Sequence, residues 1–305
     1  MAKRNLISVL DMKEEWPDLV DLAIKLKKER YTHGALLKGK TLLMIFEKPS
    51  TRTRISFDVA MTELGGNALH IDASKIHMGQ HSETVEDTAK VMSRFAHGIM
   101  YRAYDYKVMD KVGESATIPV ISGLDNLEHP CQALADMVTI KETKGTFRGK
   151  KMVYLGDGNN VCNSLMYASA ILGLDMVACC PASRMPNAEI MLGAARIADA
   201  NGSKIVASHD PKEACKDADI LYTDTWISMG DDTPVNEALK LFSMYQINSD
   251  LLSLAKDDCI VMHCLPAHRG YEITGEVMDG PQSVVLDQAE NRLHAQKAVL
   301  YTLIK

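Results

Sequence analysis

The stretch "EKPSTRTRISF", residues 47–57, sets Arg52 and Arg54 among Ser50, Thr51 and Thr53 directly behind an apolar run. Two guanidiniums this close repel unless an anion lies between them. With Ser50 or Thr51 as the N-cap of a following helix, free N–H groups, the helix dipole, hydroxyls and guanidiniums converge on one point. That is the make-up of a site for a phosphate-like anion. In "LEHPCQALAD", His129 and Gln132 are three residues apart, with Pro130 at the first helical position. Both side chains then project from one opening turn and suit a neutral, polar electrophile such as a carbonyl group. A capped helix with an internally satisfied histidine is the other reading.

Three more stretches end apolar runs with reactive side chains. In "VYLGDGNN" the spacing of Gly156 and Gly158 invites a dinucleotide fold, but Val161 stands where that fingerprint needs its third glycine. Asn159 and Asn160 instead offer amides at a strand's C-terminal end, where open α/β sheets bind small ligands. In "LYTDTWISMGDD", Asp224 can hold an ammonium group, and Ser228, Met229 and Gly230 form a loop able to close or simply to connect. In "VMHCLPAHRG", Cys264 has three readings: a nucleophile activated by His263 or His268, a ligand contact, or an inert buried thiol. Arg292, in "QAENRLHAQ", reads by itself as a solvated helix charge.

These residues need a scaffold, and strand-like runs alternate with helix-like ones from end to end, predicting an α/β protein with parallel sheets. "TLLMIF", "NALHI", "HGIMYR" and "IPVIS" read as buried strands in the first half. "KMVYLG", "DMVACC", "SKIVAS", "ADILYTD" and "DCIVMHC" read as the strands of the second. The Gly- and Lys-rich "KGTFRGKK", residues 144–151, marks the expected boundary. The last segment has a helical apolar period in Leu293, Ala298, Leu300 and Leu303 and no strand after it.

Length and composition bound what this scaffold serves. At 305 residues, 46% hydrophobic and 24% charged, the chain has the size of two ordinary domains. Seven dispersed cysteines, an odd number without a CxxC pair, argue against a disulfide framework or a zinc site. A net charge of -6 with scattered Lys and Arg disfavours nucleic acid. No apolar run approaches the roughly 18 residues of a membrane span, and the N-terminus lacks signal-peptide composition, so no membrane partner and a cytoplasmic location are expected.

In order, "STRTR", the "YR" ending at Arg102, "HPCQ", "GDGNN", "DTWISMG", "HCLP" and "DQAENR" resemble the ornithine carbamoyltransferases, and the resemblance spans nearly the whole chain. "STRT" and "HPxQ" belong to the wider aspartate/ornithine superfamily, whereas "SMG" and "HCLP" narrow it to the ornithine type. The resemblance implies transfer of a carbamoyl group from carbamoyl phosphate to the δ-amine of L-ornithine, giving L-citrulline and phosphate, in arginine biosynthesis or, reversed, arginine catabolism. It implies no metal and no organic cofactor, and a homotrimer or a multiple of trimers. A carbamoyltransferase acting on another amine, such as putrescine, is the alternative.

Carried over to this sequence, the resemblance makes two doubly wound domains: residues 1–145 for carbamoyl phosphate and 146–285 for ornithine. Residues 286–305 form a helix returning to the first domain. Ser50, Thr51, Arg52, Thr53 and Arg102 hold the phosphate. His129, Gln132 and Arg292, with Pro130 and Cys131 in the same turn, address the carbamoyl group. Asn160, Asp224, Ser228 and Met229 bind ornithine, and Cys264 and Leu265 meet both substrates. The implied catalytic set is Arg102, His129, Cys264 and Arg292. Where many members carry a glutamine, this chain has Met78, with Gln80 two residues later.

Overall fold

The computed structural model describes residues 3–79, 83–227 and 232–305. The chain divides into two compact units, Met1–Val138 with Glu290–Lys305, and Thr139–Ala289.

In the first unit, α1 (Trp16–Lys28) precedes β1 (Thr41–Phe46), α2 (Thr51–Glu63), β2 (Asn67–Asp72), α3 (Val85–Met92), β3 (Gly98–Arg102), α4 (Tyr106–Ser115) and β4 (Val120–Leu124). The four strands form a parallel sheet of order β2-β1-β3-β4. Alternate residues Leu43, Ile45, Ile99, Tyr101 and Val120 face one layer, packed on Ala89 and Met92 of α3 and Met109 and Val112 of α4. The near-continuous apolar runs follow from burial of the central strands on both faces. Strand β2 departs from its buried reading: Leu69 is 51% exposed, because β2 is the sheet's edge in this chain. The opposite edge is covered, since Leu6 bonds to Val120 and Ser122 of β4.

Helix α5 (Pro130–Lys144) leads to β5 (Lys151–Leu155), α6 (Asn160–Leu172), β6 (Asp175–Cys179), α7 (Ala188–Asn201), β7 (Ile205–Ser208), α8 (Pro211–Cys215) and β8 (Ile220–Thr223). Then come α9 (Val235–Phe242), α10 (Ser249–Leu252), β9 (Ile260–His263), α11 (Gly275–Met278) and α12 (Val285–Ile304). The second sheet is also parallel, of order β7-β6-β5-β8-β9. Val153, Leu155, Leu221 and Val261 pack on Trp226, Ala238, Phe242 and Val277 on one face.

Helix α12 returns to the first unit, as expected. Its Lys297, fully buried, bonds to Glu63 at the end of α2, and Glu63 also pairs with Arg30 at 2.9 Å. At the start of β3 the helix lies so close that a Cβ on Gly98 would stand 2.6 Å from Ile304 Cδ1.

In both sheets the strand order reverses at one place, between β1 and β3 and between β5 and β8. Such switch points open a crevice at the strands' C-terminal ends. The "STRTR" turn and Arg102 follow β1 and end β3; "GDGNN" and Asp224 follow β5 and β8.

Candidate functional site

In the first unit, Ser50 is the N-cap of α2: its Oγ accepts from Thr53 N at 3.3 Å and donates to Thr53 Oγ1 at 3.1 Å. The first turn carries Arg52 and Arg54 and no acidic residue, which opposes the helix dipole and favours a bound anion. Arg52 is half-buried; Thr51 and Arg54 are exposed. Arg102 is 6% exposed, and its Nη1 donates to Gly123 O at 3.1 Å, where β3 and β4 slip register.

Helix α5 starts as its sequence implies, with the His129 carbonyl accepting from Gln132 N and Ala133 N. Arg292 of α12 then closes the group. Its Nη1 donates to Gln132 Oε1 at 2.7 Å and its Nη2 to Thr53 Oγ1 at 3.2 Å. Gln132 in turn donates Nε2 to Asp136 Oδ1 at 2.8 Å, so its amide orientation is fixed from both ends. Burial, and then Arg292, Arg102 and Arg52, hold the His129 imidazole well below its ordinary pKa. A neutral histidine among three permanent cations is the result. Cys131 lies in the same turn, but its thiol donates to Ser122 O at 3.3 Å and burial pushes its pKa up to about 12. It is an inert core group.

Sequence reasoning passed over Lys48, one turn before α2. It is 8% exposed, stands 4.6 Å from the Tyr104 ring centroid, and has its pKa lowered by burial and by Arg102. A lysine beside a proline carries no spacing signal. Asp125 was also missed: its Oδ1 accepts from Leu127 N and Glu128 N, each at 2.8 Å, which shapes the loop ahead of His129. Burial raises its pKa to about 6.

In the second unit, Asn159 caps α6 by accepting from Val161 N and Cys162 N, and its Nδ2 donates to Asp224 Oδ2 at 2.8 Å. Asn160, the residue chosen from sequence, is the next one, half-buried in the first turn. Asp224 Oδ1 accepts from Cys264 Sγ at 2.9 Å and from Thr225 N at 2.7 Å. The carboxylate is 8% exposed and rigidly oriented. Ser228 and Met229, like Gln80, lie outside the described residues.

Cys264 is held by its neighbours. His263 N donates to Gln288 Oε1 at 2.8 Å, and Leu265 N, at a left-handed φ of 58°, donates to His263 Nδ1 at 2.9 Å. His263 therefore carries its proton on Nε2, which lies 3.0 Å from Glu272 Oε1. His263 is thus an organiser of the loop, not a base for Cys264. Asp224, His263 and Cys264 bring one potential ligand atom each within 4.8 Å of one another. Both histidine nitrogens are engaged, and the thiol is bonded to the carboxylate, so the group does not fit a metal.

The glycines of "GDGNN" answer to packing. A Cβ on Gly158 would meet Pro186 N at 2.2 Å and Met185 C at 2.4 Å, backbone atoms that cannot yield. That close approach, not a pyrophosphate, accounts for the motif.

Two family models cover the chain: the carbamoyl-P binding domain of aspartate/ornithine carbamoyltransferase over residues 4–142, and its Asp/Orn binding domain over residues 148–303. The chain belongs to the aspartate/ornithine carbamoyltransferase family. It is 51% identical over 304 residues to the catabolic ornithine carbamoyltransferase of Thermoplasma volcanium, covering 100% of this chain and 99% of the relative. To the ornithine carbamoyltransferase of Methanobrevibacter smithii it is 52% identical over 301 residues, 99% of each chain. The solved carbamoyltransferase structure from Pyrococcus furiosus matches with a TM-score of 0.95 at 49% identity, over 99% of this chain and 97% of that one.

Proposed function

We propose that this carbamoyltransferase moves the carbamoyl group of carbamoyl phosphate to the δ-amine of L-ornithine, releasing L-citrulline and phosphate. The observation that carries the reading is the convergence of Arg52, in the first turn of α2, Arg102 and Arg292 on a neutral His129 at the start of α5. In this reading the domain of residues 1–145 holds carbamoyl phosphate and that of residues 146–285 holds ornithine. Ser50, Thr51, Arg52, Thr53 and Arg102 bind the phosphate and make it a better leaving group. His129, Gln132 and Arg292 bind the carbamoyl oxygen, with Pro130 and Cys131 supplying the backbone of that turn. Because His129 is neutral, it donates a hydrogen bond to the developing oxyanion without giving up its proton.

Asp224 takes the α-ammonium of ornithine, with Asn160, Ser228 and Met229 completing that site. Cys264 and Leu265 border the reacting amine. An alkylammonium has a pKa near ~10.4 and must lose a proton to attack. With its S–H directed to Asp224, the Cys264 sulfur accepts from the amine and orients its lone pair. The ammonium first gives one proton to solvent; the neutral nitrogen then attacks the carbamoyl carbon directly, the C–O bond to phosphate breaks, and the departing phosphate takes the second N–H proton. No covalent enzyme intermediate is needed.

Ornithine is favoured over putrescine because a carboxylate as rigidly held as Asp224 answers an α-ammonium that putrescine lacks, and because the curated relatives carry the ornithine name. The same groups serve both directions, and similar proteins are named catabolic in Thermoplasma volcanium and anabolic in Campylobacter jejuni. A homotrimer, or a multiple of it, is part of the proposal. Exposed Ile55, Leu69, Val91 and Phe95 in the first unit support it, and a monomeric mass for the active protein in solution would rule it out. The reaction itself is tested by incubating the purified protein with carbamoyl phosphate and ornithine: citrulline and phosphate should appear in equal amounts, and phosphate release without citrulline would refute it.

A further inference from the structure

We propose that Asn159 is the positioning residue of the amine site: its side-chain amide fixes the Asp224 carboxylate so that a single lone pair, on Oδ2, is left to face the α-ammonium. The inference rests on the reading of Asp224 given above and names a residue outside the substrate contacts assigned there.

Asn159 caps α6, where its Oδ1 accepts from Val161 N at 3.0 Å and from Cys162 N at 3.2 Å. A flipped amide would set its NH2 group against those two donors, so the cap decides that Nδ2 points at Asp224, 2.8 Å from Oδ2. The segments that carry the two residues are also tied to each other. Thr223 Oγ1 donates to Leu155 O at 2.7 Å. Trp226 packs against Gly156, whose φ of 132° favours glycine, so closely that a Cβ there would stand 3.3 Å from Trp226 Cδ1.

An ionised carboxylate offers about four lone pairs. On Asp224, Oδ1 uses two of them, on Cys264 Sγ at 2.9 Å and Thr225 N at 2.7 Å, and Oδ2 uses one on Asn159. All three donors are neutral, so they leave the charge of this carboxylate, 8% exposed, unmatched, and an ammonium at the fourth lone pair supplies the counter-charge. Without the Asn159 amide the carboxylate is held by one oxygen alone. It can then turn, and the α-ammonium, with the reacting amine behind it, loses its fixed direction.

The test uses full-length Asn159→Ser and Asn159→Ala. Serine caps a helix but has no amide to offer Asp224; alanine does neither. In both variants the KM for ornithine should rise about tenfold, with kcat within about threefold of the parent and the Kd for carbamoyl phosphate unchanged. The thermal midpoint should fall in the alanine variant alone. Because Asn159 acts through Asp224, adding Asn159→Ser to Asp224→Asn should raise the ornithine KM no further than Asp224→Asn does. An ornithine KM at the parent value in Asn159→Ser would show that the residue is a cap and nothing more. Additive effects in the double variant, or an equal loss for both substrates, would also overturn the proposal. A parent that makes no citrulline, or an Asp224→Asn variant with the parent's ornithine KM, would overturn the reading of Asp224 and this inference with it.

Discussion

Arg292 Nη1 donates to Gln132 Oε1 at 2.7 Å across 160 residues of chain, and the same guanidinium reaches Thr53 in the first turn of α2. One fork thereby ties α12, α5 and α2 into a single rigid group. A lysine has the charge but not the fork. Arg292→Lys is expected to lower kcat by on the order of 10²-fold while leaving the far-UV spectrum and thermal midpoint near those of the parent. Steady-state kinetics check this; a loss confined to the KM for carbamoyl phosphate would show that Arg292 only binds.

Arg52 and Asp224 belong to different units and are assigned to different substrates. Arg52→Ala should raise the KM or Kd for carbamoyl phosphate by at least about tenfold, and Asp224→Asn should do the same for ornithine. Titration of each ligand into each variant separates the two, and equal defects for both ligands in either variant would contradict the assignment.

His129 is buried with its pKa far below the ordinary histidine value. The unfolded chain binds a proton near pH ~6.5 that the folded chain refuses. Its contribution to stability is therefore present above that pH and is lost as pH falls towards the depressed folded value, with a limiting slope of about 1.4 kcal/mol per pH unit. Asp125, raised to about 6 by burial, acts in the opposite sense: its contribution is present at low pH and lost between about 4 and 6. Thermal midpoints of the parent and of His129→Gln from pH 7.5 down to 5 isolate the histidine. The parent should lose stability faster; parallel curves would show that His129 is not held neutral.

Much of the scaffold was legible because parallel strands buried on both faces are apolar throughout, so the nine strands among the described residues stand out as runs. The exceptions are instructive. Strands β2 and β7 have apolar residues in exposed positions, Leu69 and Val206 among them, because edge status depends on which strands pair and not on the strand's own residues. At the site, local chemistry was readable and long-range chemistry was not. Ser50 as a cap and Pro130 as a helix start follow from neighbours in sequence. Arg292 on Gln132, and Asn159 rather than Asn160 on Asp224, are set by how distant segments meet. Arg292, as a residue in a helix, gave no sign of being buried until the resemblance placed it.

Lys297 and Glu63 extend that long-range logic into stability. Glu63 retains Arg30 if Lys297 is lost, but among the described residues Lys297 has no second acidic partner if Glu63 is lost. Glu63→Leu should therefore destabilise by about 3–5 kcal/mol, more than Lys297→Met, and the double variant should recover part of the difference. Urea midpoints of the three variants test this; a Lys297→Met variant less stable than Glu63→Leu would contradict it.

The central claim is tested most directly by offering the protein carbamoyl phosphate labelled in its carbamoyl carbon together with ornithine, putrescine or aspartate, one amine at a time, and identifying products by mass. The label should pass into citrulline at a rate far above any transfer to the other two amines. Carbamoylputrescine or carbamoylaspartate formed as fast as citrulline would contradict it.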